Sequence, residues 1–214
     1  MLYGIGNLGI VPIRLEPNDT SEMVSQLLYG EILKVIDHRK NWYKIRAEFD
    51  NYEGWIDKKQ CAIIAEDDYN QLQKATLRLS NDLVEFVNDQ QGLVMPVPHG
   101  AVLNGLEILQ HQFEGNSINE IQPKFHLIET ALLYINAPYL WGGKTPFGID
   151  CSGFTQMVYK INGYKLLRDA WQQATQGEAL SFIEESEAGD LAFFDNDEGK
   201  ITHVGIIMDD NYII

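Results

Sequence analysis

The 214-residue chain carries 16 basic against 31 acidic residues, a formal charge of −15, and 45% hydrophobic residues. That length and apolar content suffice for a buried core in one large domain or two to three small ones, whereas the acidity, without any basic stretch, excludes nucleic acid and anionic membrane as partners. No apolar run reaches the roughly 18 residues of a membrane span, and the opening Met1-Leu2-Tyr3-Gly4-Ile5-Gly6-Asn7 lacks the basic start and apolar core of a signal peptide, so a cytoplasmic protein is expected.

Residues 10–65 read as short strands separated by turns, at 11–14, 22–29, 32–37, 42–47 and 54–56, the rhythm of a small barrel or sandwich. Cys61 lies in the apolar run 61–65 and is expected as a buried strand residue. Residues 66–120 begin with an acidic helical stretch, 66–77, followed by strand-like 83–88, 93–97 and 106–113 with turns at Gly92, His99-Gly100 and Asn104-Gly105. This segment is either a degenerate second barrel or an elaborated linker. From residue 121 the pattern becomes helix, turn and helix, then strands. Phe125, Ile128, Ala131, Leu132 and Ile135 recur at helical spacing ahead of Pro138, and residues 190–194 and 203–208 are two strands joined by a turn.

Two distant cysteines are too few for a disulfide framework and lack the paired spacing of a zinc site, and the five histidines form no pair at helical spacing. Neither metal nor other cofactor is expected. The chemistry concentrates instead at Gly148-Ile149-Asp150-Cys151-Ser152-Gly153-Phe154, where a glycine-rich turn becomes a helix whose apolar face carries Phe154, Met157, Val158 and Ile161. Asp150 is a good N-cap, which puts Cys151 in the first turn, at the positive end of the helix dipole, where thiolate is favoured. On the downstream strand His203 shares a face with Gly205 and Ile207, opposite Val204, Ile206 and Met208. Isolated, each residue would read as structural. A helix-borne Cys facing a strand-borne His is, however, the arrangement of papain-like catalysis, in which His takes the thiol proton and later protonates the leaving amine. Asp150 beside the thiol opposes thiolate formation. It is read both as the helix cap and as a carboxylate for a substrate ammonium.

Through Pro138-Tyr139-Leu140-Trp141-Gly142-Gly143, the turn 148–154, Gly189-Asp190-Leu191 and Thr202-His203-Val204-Gly205, residues 121–214 resemble the NlpC family of papain-like cell-wall peptidases. Residues 25–31, 42–45 and 52–56 resemble a bacterial SH3-like domain. The resemblance implies an α+β papain-like catalytic domain over 121–214, preceded by a small all-β SH3-like barrel over 1–65 and the intermediate segment 66–120. It further implies the γ-D-glutamyl-L-diamino-acid endopeptidase subgroup, which cuts L-Ala-γ-D-Glu-L-Lys or meso-diaminopimelate muropeptides bearing a free N-terminal L-Ala.

Carried over by position, Cys151 is the nucleophile, His203 the general base and acid, and Tyr139 a hydroxyl lining the site. Asp150 falls on the substrate α-amino group, Ser152 on its D-Glu portion and Tyr52 over the L-Ala end, with Glu22 a further acidic partner. The family's third catalytic residue, about a dozen positions after the His, would fall immediately beyond Ile214, so the catalytic domain is expected to lack its C-terminal part. The resulting expectation is a cytoplasmic cysteine peptidase of wall recycling. A muropeptide-binding protein with weak or no turnover stands as the alternative, and another papain-like activity, amidase or acyltransferase, as a third.

Overall fold

The computed structural model describes residues 1–208 and 212–214. Strands β1 (Leu2–Gly6), β2 (Ile10–Arg14), β3 (Met23–Leu28), β4 (Ile32–Arg39), β5 (Trp42–Ala47), β6 (Glu53–Asp57) and β7 (Cys61–Ile64) form one antiparallel sheet in the order β3-β2-β6-β5-β4-β1-β7. Alternation along the strands sends Val11, Ile13, Leu27, Leu33, Val35, Ile45, Ile56 and Cys61 into one core. β1 escapes the periodicity argument because its run, Leu-Tyr-Gly-Ile-Gly, has no clear alternation; its pairing with both β4 and β7 makes it a strand.

Helix α1 (Glu66–Lys74) packs Tyr69 against Ile5 and Ile64 of the barrel. The following residues give β8 (Leu79–Ser80), β9 (Val84–Asn88), β10 (Val94–Pro98), α2 (Leu106–Leu109), β11 (Gln112–Phe113) and β12 (Ser117–Ile118). They build a three-stranded sheet, β10-β9-β11, and a two-stranded one, β12-β8. The strand expected over 106–113 is instead a helical turn followed by a two-residue strand, divided by Gln110 in the left-handed region (φ 57). The core of this segment includes Tyr29 from the barrel, so the two share apolar surface.

The helical region holds α3 (His126–Leu133), the hairpin β13 (Lys144–Thr145) and β14 (Gly148–Ile149), α4 (Cys151–Ile161), the short α5 (Ala170–Gln173), and the antiparallel pair β15 (Leu191–Asp195) and β16 (Ile201–Ile206). α3 buries Leu127 and Ala131 and packs Ile128 against the same core, so of the expected stripe Ile128 and Ala131 face inward while Phe125, Leu132 and Ile135 stay exposed. Its apolar face is wider than one stripe, and packing on α4 selects the buried part. α4 is enclosed on both sides. Met157, Val158 and Ile161 enter a core with Ile149 and Ile206, and its polar residues Thr155, Gln156 and Lys160 are buried as well.

Candidate active site

Asp150 holds the extended conformation of an N-cap (φ −96, ψ 173) and accepts the Gly153 N–H at 2.7 Å, so the cap expected from sequence places Cys151 at the first residue of α4. Gly153 must be glycine, since a Cβ there would lie 2.2 Å from the Gly143 carbonyl oxygen. The backbone N–H groups of Val204 on β16 and of Ser152 lie near enough to the partly buried Cys151 sulfur to favour its charged form. Strand β16 therefore runs against the thiol, with His203 the neighbour of the residue that touches it. His203 is exposed and meets the Phe194 ring with centroids 5.7 Å apart. Tyr139, held beside Ile149 by a parallel bridge, is 67% exposed. Its hydroxyl pKa is raised by desolvation and by the charges of Cys151 and Asp150, which keeps the hydroxyl protonated.

The thiol departs from the sequence expectation. Burial pushes its pKa up, Asp150 adds to the rise, and the Val204 and Ser152 N–H groups with Arg168 oppose it without reversing it. The resting group is a thiol, and forming the thiolate requires a base.

Asp150 and Ser152 sit in a buried network. Asp150 is only 7% exposed, and both carboxylate oxygens are engaged: Oδ1 by Gly153 N–H and Arg168 Nη1 (3.0 Å), Oδ2 by Gly142 N–H (2.8 Å) and Arg168 Nη2 (2.8 Å). The Ser152 hydroxyl is equally buried and accepts Arg168 Nη1 at 2.9 Å. Both side chains are thereby engaged by Arg168. Arg168 is 1% exposed, and its guanidinium could not be buried without a carboxylate partner.

A different carboxylate lies at the wall facing the barrel. Tyr52, expected at the L-Ala end, donates its hydroxyl to Asp169 Oδ1 at 3.3 Å, and nearby Trp171 helps favour the charged form of that carboxyl. Desolvation raises the pKa of Asp169, though Arg168 and Tyr52 pull it back. Glu22 is exposed at the rim, where its Oε1 accepts the Trp141 indole N–H at 2.6 Å and so ties the barrel to the loop before the cysteine turn. Arg168, Asp169 and Trp171 were not read as site residues. The only local signal was the N-cap position of Asp169 before α5, and charged residues are mostly exposed, so nothing in sequence set Arg168 apart. Among the described residues no cluster of three or more His, Cys, Asp or Glu could hold a metal, and no helix is long and apolar enough to cross a membrane.

Residues 136–214 match the NlpC/P60 family model and residues 13–60 the bacterial dipeptidyl-peptidase Sh3 domain model. The chain carries an NlpC/P60 domain behind a bacterial SH3 domain. Among relatives, the γ-D-glutamyl-L-lysine dipeptidyl-peptidase of Bacillus subtilis (strain 168) is 46% identical over 84 residues, 38% of this chain and 28% of that protein. Dipeptidyl-peptidase 6 of Lysinibacillus sphaericus is 26% identical across 84% of this chain and 76% of its own length. The γ-D-glutamyl-L-lysine dipeptidyl-peptidase of Bacillus cereus is 27% identical across 92% and 68%. The chain thus spans about a quarter of the first relative and roughly 70% or more of the other two. An NlpC/P60 family protein structure from Bacillus cereus superposes with a TM-score of 0.81 at 20% identity, covering 99% of this chain and 90% of the other, so the two share a fold.

Proposed function

We propose that this protein is a cysteine endopeptidase cutting the γ-D-Glu to diamino-acid bond of short muropeptides with a free N-terminal L-Ala, and that it works on soluble wall fragments in the cytoplasm. The reading draws on the NlpC/P60 domain and on the names of relatives, γ-D-glutamyl-L-lysine dipeptidyl-peptidases among them. Cys151 is the nucleophile. His203 takes its proton, the sulfur adds to the γ-carbonyl, and His203 returns the proton to the leaving amine; water then hydrolyses the thioester. Tyr139 donates to the developing thiolate, and backbone N–H groups at the start of α4 face the oxyanion.

The observation carrying the substrate class is the Tyr52–Asp169 contact across the two domains. It puts a desolvated carboxylate, not already spent on a buried cation's fork, at the wall the SH3 domain closes. A free α-ammonium fits there. In this assignment Asp169 takes the ammonium role first given to Asp150, and Glu22 contributes through the rim.

Mass spectrometry of L-Ala-γ-D-Glu-L-Lys, its meso-diaminopimelate analogue and their N-acetylated forms tests the proposal. A site built around a buried ammonium rejects a substrate lacking it by about 100-fold or more, so the free peptides should be cut and the acetylated ones spared. Equal cleavage of both forms would mean that the L-Ala end is open and would overturn the assignment.

A further inference from the structure

Strand β3 of the barrel serves two cores. Leu27 stays inside the barrel, whereas Leu28 belongs to the catalytic core with Ile149, Met157, Val158 and Ile206. Between them and the strand start, buried Gln26 accepts the Lys144 backbone N–H at 2.7 Å, and buried Ser25 accepts Arg168 Nε at 3.1 Å. Arg168 divides its donors between the domains: Nη1 and Nη2 hold Asp150 and Ser152, and Nε reaches the barrel. A guanidinium is planar and rigid, so the partner of Nε sets the plane in which the fork meets the carboxylate. That carboxylate is the cap fixing the first turn of α4, where Cys151 sits.

We propose that Ser25 of the SH3 domain is a positioning residue for the nucleophile, acting through Arg168 and the Asp150 cap to set the height and orientation of Cys151. The proposal rests on the reading of Cys151 as the nucleophile, but not on the identity of the substrate. The SH3 domain then has two separate effects on the site: Tyr52 shapes the binding wall, and Ser25 aligns the reacting atom. No Ser25 atom touches the thiol. Its influence passes through two side chains and a helix cap, each link a hydrogen bond of 3.1 Å or less.

Arg168 is among the groups that lower the Cys151 pKa, and Asp150 among those that raise it. Releasing Nε from Ser25 loosens the guanidinium, weakens the first influence and leaves the second less neutralised. Both changes move the thiol in the same direction, toward higher pH.

The experiment is Ser25→Ala in the full chain, a one-atom deletion in a strand that leaves packing nearly unchanged. It is read by the pH profile of Cys151 alkylation with iodoacetamide, assigned by peptide mass, and by kcat and KM on L-Ala-γ-D-Glu-L-Lys, all far below the melting temperature. The alkylation midpoint should move to higher pH, and kcat should fall about 10-fold with KM within about 2-fold, as expected when a reacting atom is slightly misplaced. An unchanged alkylation profile would overturn the inference, whatever happens to melting temperature or turnover, because a merely structural serine has no means of altering the thiol's titration. Should the wild type fail to cut the peptide while Ser25→Ala still shifts the profile, the substrate assignment falls and the positioning role stands.

Discussion

At Cys151 opposing influences meet on one sulfur atom. The helix start and two backbone N–H groups favour thiolate, yet burial and the adjacent Asp150 outweigh them and raise the thiol pKa. Cys61 is still less reactive, buried in the barrel core with its thiol pushed up to about 11 by desolvation. Iodoacetamide should therefore label Cys151 at least about 10-fold faster than Cys61 in the folded protein, with a rate climbing through alkaline pH. Preferential modification of Cys61, seen by peptide mapping, would contradict that ordering. Since the free thiol is protonated, turnover near neutral pH depends on a base. His203→Ala should cut kcat/KM by about 100-fold or more with its melting temperature unchanged. Full activity in that variant would reduce His203 to a surface residue packed against Phe194.

α4 is an amphipathic helix whose polar side is also buried. Its apolar face fills the catalytic core, while Gln156 bonds Asp50 of the barrel at 2.9 Å and Thr155 bonds Gln173 at 2.7 Å. The first turn is held both by the Asp150 cap and by the Asp150–Arg168 pair, and a substitution separates the two contributions. Asparagine caps helices about as well as aspartate, so Asp150→Asn keeps the cap but leaves the buried guanidinium without a countercharge. Breaking a buried pair on one side costs about 3–5 kcal/mol, and urea unfolding of Asp150→Asn should report a loss of that order. A loss below about 1 kcal/mol would show capping to be the larger contribution.

Across the whole molecule, the domains are joined by buried charge. Glu31, at the turn between β3 and β4, meets Lys160 of α4 at 2.6 Å and Lys144 at 3.6 Å, and accepts the Leu28 N–H. Burial alone would raise the Glu31 pKa, but the two ammonium groups and that N–H overcome it and hold the carboxyl at about 2, below its ordinary 4.5. The folded-state value is depressed, so the stabilisation is complete above about 4.5 and is lost as pH falls from there through about 2. His99 adds an earlier acid sensitivity: fully buried and stacked on Tyr134, it titrates at about 4 instead of 6.5, so its contribution fades as pH drops through that interval. Thermal melts should accordingly fall in two stages on acidification. Glu31→Gln should flatten the lower stage while destabilising the protein at neutral pH, because it leaves two buried lysines without a counterion. A variant whose melting temperature retains the wild-type slope below pH 4.5 would remove Glu31 from this account.

The sequence alone carried what depends on neighbours along the chain. The alternating strands of the barrel, the Asp150 cap, the cysteine at the start of α4 and the His203 strand each follow from local periodicity or capping chemistry. Local pattern misled or fell short elsewhere: β1 has no alternation, the apolar run 106–113 is strand-like in sequence yet begins as a helical turn, and α3 has an apolar face wider than one stripe, so pairing and packing decided those elements. Tertiary structure alone decided the electrostatics of the site. Arg168 lies 18 residues from Asp150 and 143 from Ser25, and their convergence turns an expected substrate carboxylate into a buried ion pair while leaving Asp169 beside Tyr52. A sequence specifies which groups can ionise; how deeply each is buried, and against which countercharge, is fixed only when distant segments exclude water together.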